Sequence, residues 1–64
     1  NAISVFRDLV KRKPGNPLYH YHLGYALYQK GSKQDARQSL QTALSLKPGK
    51  EDEALIRALL GKVG

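Results

Sequence analysis

His20 and His22 are the residues of this 64-residue chain whose type first suggests chemistry, because imidazoles bind metal ions and move protons near neutral pH. Two positions apart on a helix, they point about 200° away from each other and cannot chelate one ion together. The chain has no cysteine to complete a metal site. No carboxylate pair or serine–histidine arrangement accompanies them, and Gly15 and Gly49, each following a proline, belong to no phosphate-cradling loop. The expectation is no enzyme, no cofactor and no metal, with both histidines serving as polar or packing residues.

The second chemical pattern is built from tyrosine. Leu18, Tyr21, Tyr25 and Tyr28 recur at the spacing of one helix face, and Gln29 borders them. Each ring offers broad apolar contact and a hydroxyl that hydrogen-bonds. Leu18, Tyr21, Tyr25, Tyr28 and Gln29 therefore form a candidate peptide-binding face. The competing expectation is that these rings pack against neighbouring helices and bind nothing. Tyr19, Leu23, Ala26 and Leu27 make the adjoining face, expected to meet a second helix.

The third pattern is charge. Residues 1–50 hold nine basic and two acidic side chains, a net of +7, and residues 51–64 hold two basic and three acidic, a net of −1. Such an excess speeds encounter with acidic partners without identifying them. Arg7, Lys11 and Lys13 lie near one another, and Lys33 and Arg37 are one turn apart. A single-strand groove needs cations beside aromatics that stack on bases, whereas here most charges and the tyrosines fall on different helices. Solvated surface is the expectation, and nucleic-acid binding rests on net charge alone. No apolar run is long enough to span a membrane.

These residues are positioned by a repeat. Shifted by 34 positions, Ala2-Ile3-Ser4-Val5-Phe6 falls on Ala36-Arg37-Gln38-Ser39-Leu40, and Lys13-Pro14-Gly15 falls on Lys47-Pro48-Gly49. The chain divides into the end of one unit (1–16), a whole unit (17–50) and the start of a third (51–64). Asn16-Pro17 is a helix start, Asn accepting orphan N–H groups and proline losing no bond at the first position. Gly31 is a stop free to take positive φ. Ser32 and Asp35 read as a capping box, opening a helix from Lys33 to about Leu46 that Pro48-Gly49 closes. Helices over 2–13 and 51–60 flank this antiparallel hairpin, with fraying expected beyond Gly61. Four helices and no strand result: an all-α chain. Gly24, at mid-helix, is expected to allow close approach to Ala43, with Ala36 a further small contact and Leu23, Leu27, Leu40 and Leu44 around them.

The whole unit resembles a tetratricopeptide repeat, whose pattern is W-x2-L-G-x2-Y, then A-x3-F, A and P over 34 residues. His20 stands at the tryptophan position, Leu23 and Gly24 at the Leu-Gly pair, and Leu27 at the tyrosine. Ala36, Leu40, Ala43 and Pro48 follow at the alanine, phenylalanine, second alanine and proline positions. Ala2, Phe6 and Pro14 repeat the second-helix pattern. In the third unit Arg57 replaces the leucine and Gly61 the aromatic, as in a polar-faced helix that caps an array.

The resemblance, to the end of a bacterial-type array, implies helix hairpins stacked as an α-solenoid, no catalysis, no cofactor, and a protein or peptide partner held on first helices. Tyr21, Tyr25 and His22 stand where one variant of the family carries Lys and Asn for a terminal carboxylate, so that chemistry is absent. The alternative function is a purely structural C-terminal cap, with weak polyanion binding third. The chain has no methionine, and its helical pattern starts at Ala2, as expected of a piece of a longer protein. Phe6 and Leu9 are expected to be half covered, favouring weak self-association or fraying over residues 1–6.

Overall fold

A computed structural model of the chain describes residues 2–63. Four helices follow one another: α1 (Ala2–Arg12), α2 (Pro17–Lys30), α3 (Lys33–Ser45) and α4 (Lys50–Val63), with no strand among the described residues. α2 and α3 form the closest pair; α1 packs on α2 alone, and α4 packs on α3 and, less extensively, on α2.

The starts and stops follow local chemistry. Asn16 has extended backbone, and its side-chain Oδ1 accepts the Leu18 N–H at 2.9 Å, with Pro17 at the first helical position. Gly31 ends α2 at φ 98°, and the Gly31 and Ser32 N–H groups donate to the Tyr28 and Leu27 carbonyls, at 3.0 and 2.9 Å. This closure overturns the capping box. Ser32 is held at φ −83°, ψ 69° by the bond to Leu27, is not extended, and makes no side-chain cap bond. Its backbone carbonyl instead accepts the Ala36 N–H, while Asp35 remains in the first turn, where the helix dipole favours an acid.

The other end of α3 also differs from expectation. Leu46 is the C-cap and Lys47 adopts φ 57°, so a lysine, rather than Pro48-Gly49, makes the left-handed turn. A side chain in that region costs about 1–2 kcal/mol. Lys47→Gly is accordingly expected to raise stability by about 0.5–1 kcal/mol, the gain being reduced by glycine's freer unfolded chain; urea unfolding of the two proteins measures it.

The core comprises Leu23 and Leu27 of α2, Ala36, Leu40 and Ala43 of α3, and Ile56, Leu59 and Val63 of α4. Leu40 and Ile56 are its largest completely buried side chains. Burial of Val63 corrects the expected frayed tail: α4 runs three residues past Leu60 because its last turn is anchored in this cluster. Gly24 does mark a close approach, with Leu40 and Ala36, both expected near it, closest rather than Ala43. A Cβ built there would lie 2.8 Å from Leu40 Cγ, 2.9 Å from Leu40 Cδ2 and 3.3 Å from the Ala36 carbonyl oxygen, and none of these nearest atoms belongs to Ala43. Counting back from the turn at Gly31 explains it. Positions 24 and 40 are nearly equidistant from that turn, whereas Ala43 lies one helical turn further out, level with His20.

Candidate interaction face on α2

Three helices divide the circumference of α2. His20, Leu23, Gly24 and Leu27 are buried, on the side from which Leu40 and Ala36 of α3 approach Gly24. α1 covers the next side, where His22 stacks on Phe6 with ring centroids 5.4 Å apart and planes 22° apart. Ala26, expected to meet α3, instead lines a cleft with Ala2 and Ile3 of α1. Tyr21 and Tyr28 lie on the opposite flank at helical spacing, half-buried against the core cluster.

Open surface remains between those flanks. Tyr25 is 43% exposed and Leu18 36% exposed, and Gln29 and His22 are exposed beside them. The five residues singled out in the sequence therefore separate into two groups: Leu18, Tyr25 and Gln29 on a strip open to solvent, Tyr21 and Tyr28 along its packed edge. Packing against neighbouring helices, the competing expectation, describes Tyr21 and Tyr28, whereas Leu18, Tyr25 and Gln29 remain exposed.

Ring contacts order this strip. Tyr25 meets Tyr21 edge-on at 6.4 Å, Tyr21 meets His22 at 5.5 Å, and His22 continues the series to Phe6 on α1. Edge-to-face and offset contacts of this kind suit the aromatic quadrupole, and they hold the exposed ring against a supported one. Sequence reasoning set His22 beside Tyr21 and Tyr25 through the family resemblance, and its azimuth, about 60° from Tyr25 on a helical wheel, agrees. Phe6 was missed, because its stacking on His22 is a contact between helices that no local pattern encodes.

A cleft lies at each end of the strip. At the start of α2, a space of about 530 Å³ is lined by Lys13, Gly15, Asn16, Pro17, Leu18 and Asp52. At its end, a smaller space of about 360 Å³ is bounded by Ala2, Ile3, Ala26, Gln29 and Lys30. Leu18 belongs to the first and Gln29 to the second. The eleven residue steps between them span about 16 Å of helix, the reach of about five residues of extended chain.

The two histidines have separate, structural surroundings. His20 is buried, and its Nε2–H donates to the Pro14 carbonyl oxygen at 2.8 Å, which ties the linker between α1 and α2 to the hairpin. Among the described residues no group of three His, Cys, Asp or Glu side chains is placed to hold a metal ion. No described helix is long and apolar enough to cross a membrane.

The helix order, the turn at Gly31 and the Gly24–Leu40 approach are those of a 34-residue helix-hairpin repeat, and the family model for the tetratricopeptide repeat matches residues 1–51. The chain belongs to the tetratricopeptide repeat family. No curated protein and no solved structure matches it. A tetratricopeptide repeat is an interaction scaffold for protein partners, typically noncatalytic, and the stacked hairpins of such solenoids present extended concave surfaces for binding. The matched residues comprise α1, α2 and α3 and end where α4 begins. The signature residues Leu23, Gly24, Leu27, Ala36, Leu40 and Ala43 are all buried, as is His20 in the tryptophan position, while Pro48 is half-buried in the linker.

Proposed function

We propose that this tetratricopeptide repeat is a noncatalytic protein-interaction module that holds an extended peptide along the open strip of α2. The single observation that carries the reading is an exposed aromatic, Tyr25, braced by Tyr21 between two clefts. An aromatic side chain with few rotatable bonds, already supported by its neighbours, loses little entropy on binding and is typical of the residues that dominate interfaces. Tyr25 is the central anchor, Leu18 and Gln29 contact the two ends of the peptide, and Tyr21 and Tyr28 set the position of the strip. The net charge of +6 favours peptides carrying acidic residues.

The test begins with a peptide array, from which the tightest-binding acidic peptide is taken into titration calorimetry. Tyr25→Ala is expected to weaken its binding at least about tenfold, the loss of a modest hot spot of about 1.4 kcal/mol, while the helical circular dichroism stays unchanged. Equal affinity of the variant and the parent removes Tyr25 from the site and the proposal with it.

A further inference from the structure

We infer that the peptide held on α2 is acidic at one end only, the end that lies over Gln29 and Lys30. The inference rests on the peptide reading of the strip and deepens it. The two clefts that bound the strip differ in charge, and each end of the peptide is selected by the cleft it enters.

At the end of α2 the charge is uncompensated. Lys30 is the charged residue of that cleft, beside the Gln29 amide and the apolar side chains of Ala2, Ile3 and Ala26. It is exposed and belongs to no ion pair among the described residues, where the pairs are Arg12 with Asp8 and Arg57 with Glu53. Asp35, the acid nearest in sequence, is exposed in the first turn of α3 and does not line the cleft. A carboxylate placed here meets an ammonium group and two neutral amide N–H donors, with no acid against it.

At the start of α2 the charges cancel. Lys13 and Asp52 line the same cleft without being in ion-pair contact. Asp52 is half-buried in the first turn of α4, where an acid suits the helix dipole. A carboxylate entering this cleft gains from Lys13 and loses to Asp52. Leu18 and Gln29 are about 16 Å apart along the helix, twice the screening length of about 8 Å at physiological salt. The two ends therefore act independently. Asp52 is a specificity residue in this arrangement: it works against peptides acidic at both ends, which the net charge of +6 alone would favour.

Titration calorimetry tests the inference with the tightest-binding acidic peptide of the array and with variants of it in which each Asp or Glu becomes its amide in turn. Lys30→Ala is expected to weaken the peptide about threefold, the size of a surface ion pair, and to leave unchanged the binding of the one amide variant that lacks the acid over Gln29. Lys13→Ala is expected to change neither. A second acid, placed five positions from the first, is expected to add nothing with the parent chain and about threefold with Asp52→Asn, whose neutral amide leaves Lys13 unopposed. Equal losses on Lys30→Ala and Lys13→Ala, as a diffuse positive field would give, overturn the inference. So does a second acid that gains nothing from Asp52→Asn. Tyr25→Ala separates the two readings: if it weakens binding while the lysines behave alike, the strip stands and its charge selection falls, and if it is silent both fall together.

Discussion

Leu40→Ala is expected to leave most of the chain unfolded at 25 °C. Leu40 is completely buried where α2 and α3 approach most closely, and truncating such a leucine costs about 2–5 kcal/mol, more where the surroundings cannot collapse into the void. Collapse is restricted here, because the residue facing Leu40 is Gly24, which has no side chain to move inward. A single core in a chain below about 70 residues rarely supplies more than about 3–5 kcal/mol in all. The loss is therefore comparable with the whole stability. Thermal and urea melts followed by circular dichroism at 222 nm measure it; a cooperative transition within about 1 kcal/mol of the parent's would mean that Leu40 is not the keystone of the hairpin.

Gly24→Ala is the second large effect, and it opposes propensity. In a helix interior alanine is better than glycine by about 1 kcal/mol, so a rule based on local preference gives stabilisation. The added Cβ, however, would fall 2.8 Å from Leu40 Cγ and 3.3 Å from a backbone oxygen of α3. Cγ is the branch point of a completely buried leucine, and overpacking of this kind costs about 1–3 kcal/mol. Net destabilisation of about 1–2 kcal/mol is expected. The same substitution in a Leu40→Ala background removes the two contacts under 3 Å, leaves only the looser one to the Ala36 carbonyl oxygen and keeps the propensity gain, so there it should raise stability by up to about 1 kcal/mol. A change of sign between the two backgrounds identifies the Gly24–Leu40 contact; a gain of equal size in both would show that the helices part freely.

Particular residues show how much of this was readable beforehand. Asn16-Pro17 and Gly31 were legible because capping and positive φ are local requirements, met by residue types that few other positions favour. The period of 34 and the alternation of first and second helices followed from repetition alone. Gly24 was recognised as a close approach with Ala36 and Leu40 nearby, but Ala43 was set closest, since the level of each partner depends on how many residues the turn consumes. Ser32-Asp35 had the right types for a capping box, and the bond from the Ser32 N–H to Leu27 left the serine backbone in the wrong conformation for it. Lys47 gave no signal, because lysine has no preference for the left-handed region.

The candidate face was legible in outline only. Periodicity places Leu18, Tyr21, Tyr25 and Tyr28 together, but which of them are covered is decided by where α1 and α4 lie around α2. Those positions are set by packing between elements, and so are the Phe6–His22 stack and the two clefts.

The hydrogen bond from His20 to Pro14 has a consequence for the shape of any longer stack. It crosses the junction between α1 and α2 and fastens one unit to the next. At the following junction the equivalent residues are Pro48 and Ala54, and a methyl group has nothing to donate. The step from α3 to α4 therefore lacks that tether and depends on Ile56, Leu59 and Val63 in the shared core instead. Neighbouring junctions of one chain are thus secured by different means, a polar tie at the first and apolar packing at the second.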